Sequence, residues 1–187
     1  PPEAGFFEVA LDGAAESTQE YLRNSAVLVT TVRDRNGAAV EITDFAPRFV
    51  KSGRIYRPTM FVRQLRPLRG DPRVRIRLRP AYGYGAGRAT TTRGSNHVRY
   101  VMPDLVMRLT TDAPVSYVLE ETPFVLEEPV HLVFGPDESL SAAIGPTARE
   151  LFERTVLYWR DWTRNLSIPF EWQEAVIRAA ITLELCS

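Results

Sequence analysis

Between Arg73 and Arg79 the chain alternates without a fault, with Val74, Ile76 and Leu78 on one side and Arg73, Arg75, Arg77 and Arg79 on the other. A period of two puts all the apolar side chains on one face only when the backbone is extended, so this segment is a strand. A strand with one apolar face needs a second apolar surface to cover it. The arginines, about 7 Å apart along the opposite face, need water, carboxylates or an anionic partner.

The segments on either side supply more strands. Ala26 to Arg33 and Ala38 to Phe45 flank Asp34-Arg35-Asn36-Gly37, and Asn-Gly provides the positive φ of a hairpin turn. Val40 and Ile42 point one way and Glu41 and Thr43 the other, the pattern of a half-buried antiparallel strand. Phe6 to Val9 reads as an edge strand, and Ala14 to Tyr21 as a loop or short helix. Phe45 to Pro58 reads as a long connection, and Met60 to Leu65 as a strand closed by Pro67 and Gly70. Ala81 to Gly87 is a turn-rich loop that Thr90 to Gly94 continues. His97 to Val101, Leu105 to Thr110, Ser116 to Glu120, Phe124 to Leu126 and Val130 to Phe134 follow as short strands between proline-bearing turns. Many short strands at regular spacing predict a mainly β chain, an antiparallel β-sandwich.

After Gly135-Pro136 the period changes. Thr147 and Glu150 fit a capping box, and Leu151, Thr155, Trp159, Trp162 and Leu166 recur on one helical face. Ser167-Ile168-Pro169 ends that helix and opens another, with Pro169 in its first turn. In the last helix Trp172, Val176, Ile177, Ala180, Ile181 and Leu185 cover most of the surface, and Glu171, Glu174, Arg178 and Thr182 form one narrow polar stripe. Such a helix needs partners on nearly every side, so the chain is expected to be part of a longer polypeptide. The divisions are a β-sandwich over 1–140, a helical linker over 141–168, and the start of a helical domain over 169–187. Trp159, Trp162, Trp172, Ile177 and Ile181 are the expected interdomain packing residues.

The 187 residues are 44% hydrophobic and 25% charged, and 23 basic side chains balance 23 acidic ones, leaving no global field to draw a nucleic acid or an anionic membrane. Structural ion pairing with Glu120-Glu121 or Glu127-Glu128 is therefore the first reading of the Arg73 to Arg79 strand, with nucleic-acid binding the weaker alternative. Those Glu-Glu pairs do not make a two-carboxylate centre, because neighbours on a strand point to opposite faces. His97 and His131 are isolated from the one cysteine and from each other, so hydrogen-bonded structural roles are expected and no metal or cofactor. Cys186 reads as a small core residue, and a lone cysteine fits a reducing, cytoplasmic setting. Gly83, Gly85 and Gly87 lack the strand-loop-helix context of a phosphate loop. The tyrosine-rich Tyr82 to Gly87 loop supports an alternative of another class, a free-standing carbohydrate-binding module.

Several segments, taken together and in order, resemble bacterial glycoside hydrolase family 15 proteins, the glucoamylase and trehalase-like group. They are Ile42 to Phe49, Gly94 to Tyr100, Leu109 to Pro114, Tyr158 to Trp162 and Trp172 to Ala180. The resemblance implies an amino-terminal sandwich of the supersandwich type, a helical linker, and the first helix of an (α/α)6 barrel. It also implies an inverting hydrolase of α-glucosidic bonds whose two catalytic glutamates lie in the barrel, outside this chain. No residue here is then catalytic. The expected partners are the chain's own carboxy-terminal barrel and, for the longer protein, an α-glucoside or oligosaccharide, and the isolated chain is expected to be inactive and to cover its last helix either by self-association or by folding it back on the sandwich.

Overall fold

The computed structural model describes residues 5–168 and 171–186. The chain opens with strands β1 (Phe6–Leu11) and β2 (Ala14–Tyr21), then the hairpin β3 (Leu28–Asp34) and β4 (Ala39–Phe45). A small hairpin, β5 (Phe49–Lys51) and β6 (Arg54–Tyr56), precedes the long strands β7 (Phe61–Arg69) and β8 (Arg73–Arg79). Next come β9 (Ala81–Tyr82), one 3-10 turn (Gly83–Gly85), β10 (Gly87–Arg88), β11 (Thr90–Arg93), β12 (His97–Val101) and β13 (Val106–Thr111). Helix α1 (Val115–Leu119), β14 (Phe124–Val125), β15 (Val130–Pro136), α2 (Ile144–Arg164) and α3 (Gln173–Leu185) complete the order. The chain is mainly β, with antiparallel sheets and three α-helices among the described residues.

Eight strands form one sheet in the order β11-β12-β13-β15-β7-β4-β3-β2, and β1-β8-β14 form a second. The alternation of β8 explains how they meet. Val74, Ile76 and Leu78 turn into a core shared with Val40, Ile42, Leu65, Val98, Leu109 and Leu132 of the large sheet, closed at one end by Val115 and Val118 of α1. Most of these side chains are fully buried, and each contributes about 1.5–3 kcal/mol relative to exposure. The opposite face of the large sheet is not left to solvent. Val27, Phe45, Val62 and Val133 pack there against Ala148 and Val156 of α2, and Phe45 meets Phe152 edge-on at 5.8 Å. The strand β4 is thus buried on both faces toward its end, whereas one half-buried face was expected. The segment expected as a linker, 141–168, lies against the same sheet.

Other departures have local causes. The strand β2 is exposed along its length, so it carries no apolar period; it is a strand because it pairs with β3 from Ala14 to Tyr21. The threonines of β11 are likewise an exposed edge strand and not loop. Part of the expected connection after Phe45 is the β5–β6 hairpin. Pro67 does not end β7. Beyond Leu65 that strand has lost β15 on one side, and on the other a bulge separates the Ala39–Arg69 and Val40–Pro67 pairs, so the missing amide costs no ladder bond. The expected strand Ser116 to Glu120 is helix up to Leu119, with Glu120 as its C-cap: the chain turns after Pro114, and Val115 and Val118, three apart, both reach the core.

The expected hairpin turn is present. Gly37 has φ +85°, and Asp34 Oδ1 accepts the amides of Asn36 and Ala38, each at 2.8 Å. The capping box is absent because α2 begins one turn earlier, at Ile144, with Pro146 in the first turn. Thr147 Oγ1 instead donates to the Ala143 carbonyl at 2.9 Å, and Glu150 accepts from Arg154. Pro169 lies outside the described residues. No helix among the described residues is long and apolar enough to cross a membrane.

Candidate functional site

The two long helices meet the sheets at Arg48. It follows Ala46-Pro47 at the end of β4 and is 6% exposed. Its backbone amide donates to Thr155 Oγ1 at 3.2 Å and its Nε to the Tyr158 hydroxyl at 3.3 Å, both on α2. Its Nη1 donates to the Glu184 carbonyl at 2.9 Å and its Nη2 to the Glu184 carboxylate, both on α3. The guanidinium carbon also lies 5.7 and 5.5 Å from the ring centres of Tyr158 and Trp159. A buried guanidinium with carboxylate, carbonyl, hydroxyl and ring partners is well compensated, its charge by the Glu184 carboxylate.

That clamp fixes which side of α3 faces inward. Ile181 is 1% exposed, Ile177 is half-buried, and Arg178 lies 3.9 Å over the Tyr21 ring and donates to the Ser25 carbonyl at 2.8 Å. Arg178 belongs to the expected polar stripe, and its long apolar stem and five donors suit this inward contact. Trp172, expected to pack against a further domain, is 81% exposed, and Leu183 is 73% exposed. Val176, Leu185 and Cys186 are also exposed, so Cys186 is no core residue. Trp172, Val176, Ala179, Leu183 and Cys186 follow one another at intervals of four, three, four and three. That is the spacing of a seam made for another helix, and all five are exposed.

The other expected packing residues divide. Trp159 is fully buried within this chain, between Tyr158 at 5.3 Å and Trp162 at 5.7 Å, because docking of α2 on the sheet uses up that face. Its Nε1 has no hydrogen-bond partner among the described residues. Trp162 is half-buried and borders a cleft of ≈ 410 Å³ with Phe49, Val50, Leu157 and Tyr158. Val50, Ile55 and Leu157 are each more than half exposed, which extends the apolar surface near α2.

Three of the four β8 arginines are paired with carboxylates, while the Nε of Arg75 is buried with no hydrogen-bond partner among the described residues. Arg77 bonds Glu8 at 2.8 Å and Glu121 at 3.2 Å, Arg79 bonds Glu121 at 2.5 and 2.7 Å, and Arg73 lies 3.5 Å from Asp12. Hydrogen bonds from Arg79 hold the Glu121 carboxyl below its ordinary range, with the charges of Arg79 and Arg77 adding to the effect against partial burial. Glu121 takes φ +53°, a backbone setting that costs a non-glycine residue about 1 kcal/mol or more. Neither Glu8 nor Asp12 was foreseen, because their strand becomes a neighbour of β8 only through the topology.

His131 Nδ1 meets Asp112 Oδ2 at 2.6 Å, and His97 contacts the Asn96 side chain at 3.2 Å. Burial pushes the Tyr100 hydroxyl far above its ordinary pKa. No cluster of three or more His, Cys, Asp or Glu arranged to hold a metal ion occurs among the described residues. The glycines of the 81–88 loop serve its fold: Gly83 and Gly85 have positive φ, and a Cβ on Gly87 would sit 2.2 Å from the Tyr82 ring. Beside that loop is an apolar cleft of ≈ 710 Å³ bordered by Phe6, Phe7, Tyr82, Met102, Leu105 and Phe134.

Arg48 is the residue that sequence reasoning missed. It is one arginine among many, outside any periodic segment, and its partners lie 107 to 136 positions away. Comparison with known protein families, characterised proteins and solved structures returns no match for this chain.

Proposed function

We propose that this chain is the non-catalytic amino-terminal region of a glycoside hydrolase of the family 15 kind, in which a β-sandwich and its docked helix carry the first helix of an (α/α)6 barrel. The observation that supports this most is the exposed strip of α3, from Trp172 to Cys186 at heptad intervals, on a helix clamped from behind by Arg48. A helix held on one side with an apolar seam on the other is suited to pack against further helices. The two sheets with a common core fit the sandwich half of the reading. The partner is the protein's own helical barrel, the substrate an α-glucoside such as maltose, trehalose or a starch oligosaccharide, and the setting cytoplasmic.

The test compares the 187-residue chain with a longer polypeptide carrying the helical domain, on maltose, trehalose and soluble starch. Turnover by the longer protein and none by the chain alone is the expected result. Turnover by the isolated chain, or none by the longer protein on any α-glucoside, overturns the reading. In isolation the chain should self-associate through the exposed strip, and sedimentation showing a strict monomer at high concentration would contradict that part.

The cleft beside the 81–88 loop favours a second reading, a carbohydrate-binding module. Tyr84 at the loop tip is fully exposed and Tyr82 borders the cleft, and both rings offer faces for a pyranose. Calorimetric titration with maltooligosaccharides separates the two, because a purely structural region gives no saturable heat.

A further inference from the structure

The outer face of the large sheet holds a polar cleft of ≈ 480 Å³ between the β5–β6 hairpin, β13 and β15, and the first turns of α2. Arg108 lies at its floor. Its neighbours Met107 and Leu109 turn into the inner core, so alternation sends Arg108 and Thr110 to the outer face. The Arg108 side chain is only 12% exposed. Its Nε donates to Thr110 Oγ1 and its Nη1 to Ser139 Oγ, both at 3.2 Å.

The charge on Arg108 is poorly compensated. Its nearest carboxylate, Asp137, is 4.0 Å from Nη1, while Arg99 holds the same Asp137 at 2.8 and 2.6 Å. Two guanidinium groups thus share one carboxylate, and the more buried of them has the weaker share. The other charges bordering the cleft do not correct this. Glu150 is 66% exposed and bonded to Arg154 at 3.1 Å, Glu138 is exposed, and Lys51 is an exposed cation 5.6 Å from the Tyr56 ring centre. His97 registers the same field. Burial first, then Arg108 and Arg99, lower its pKa against the pull of Asp137.

The hydrogen-bond inventory points the same way. Thr110 Oγ1 and Ser139 Oγ both accept from Arg108, so each hydroxyl proton is left to donate elsewhere. Arg108 Nη2 makes no hydrogen bond among the described residues. The floor therefore presents one under-neutralised cation together with donors that face the cleft, a combination suited to an anionic acceptor.

We propose that this cleft binds a small ligand through an oxyanion, a carboxylate or phosphate, seated on the Arg108 guanidinium with the hydroxyls of Thr110 and Ser139 completing its hydrogen bonds. The aromatic pair Phe49 and Tyr56, 4.8 Å apart at one wall, leaves room for an apolar or ring-shaped body behind the anionic group. This site is independent of the proposed glycosidase role and stands or falls separately.

The test titrates inorganic phosphate and, separately, acetate into the ¹⁵N-labelled chain at constant ionic strength, with chloride as the control. The Arg108 Nε–H and the amides of 108–110 and 139–141 are followed. Saturable shifts confined to these signals are expected, and the tighter of the two anions identifies the ligand class. Arg108→Gln should weaken binding by about tenfold or more, as loss of a charge-assisted hydrogen bond implies. Asp137→Asn should tighten it, because it removes the competing carboxylate. Shifts that rise linearly as they do with chloride, or equal affinity in Arg108→Gln, overturn the proposal. Should Arg108→Gln fail to fold, Ser139→Ala removes one donor from an exposed position, and unchanged affinity in that variant counts equally against it.

Discussion

Helices α2 and α3 are both rich in apolar residues, yet they are held in different ways. The longer one buries Ala148, Val156 and Trp159 against the sheet and the Arg48 region. The shorter buries Ile181 alone and is kept in place by Arg48 with Glu184 and by Arg178 with Ser25 and Tyr21. Apolar contact over a broad face secures the first, and a few directional polar contacts orient the second. Composition does not decide which face of a helix turns inward when buried cations elsewhere in the fold require partners.

The contrast can be broken by substitution. The largest effect should come from Trp159→Ala, which removes a fully buried ring from α2 and should cost about 3–5 kcal/mol in urea unfolding; a loss under about 1 kcal/mol would show that α2 is not fastened by packing. Arg48→Met should cost about 3 kcal/mol by removing the buried cation that joins α2 to α3. Its effect should be local, with faster hydrogen exchange over 173–185 and unchanged protection in β7 and β8. Uniform loss of protection would mean that α3 is integral to the β core.

A third test probes polar fastening where no helix is involved. The Glu121 carboxyl titrates below its ordinary range in the folded chain, so its stabilisation is present above the ordinary carboxylate pKa and is lost as the pH falls through the lowered folded value. Stability of the wild type should fall more steeply than that of Glu121→Gln between about pH 5 and 3, and parallel profiles would refute the pairing. The smallest effect is expected from Trp172→Ala. Its 81% exposure predicts a change within about 0.5 kcal/mol in the isolated chain, together with a clear loss of self-association.

Much of the β architecture was legible because one-sided burial leaves a period of two, as in β8 and β12. The long helix was legible for the same reason at a period of 3.6. What escaped has a common cause. The strand β2 and the strand β11 bury almost nothing, so they have no apolar rhythm to read, and only pairing with β3 and β12 makes them strands. The orientation of α3, the role of Arg48 and the partners of the β8 arginines all depend on residues distant in sequence. The polar stripe of α3 was legible from its spacing, but not that Arg178 within it turns inward to a carbonyl and a ring. In the cleft over the sheet the informative signal was a pair of arginines sharing one aspartate, which no spacing along the chain reveals.

Arg48 also sets an order of events. Its hydrogen-bond partners on α2 and α3 lie 107, 110 and 136 residues downstream, so on a ribosome the guanidinium emerges long before anything that can compensate it. Contacts of such separation close slowly because the intervening chain must be ordered first. The sheets can assemble while Arg48 is still hydrated, but its burial must wait for Glu184. Docking of α3 on Arg48 therefore requires that nearly the whole described chain has been made.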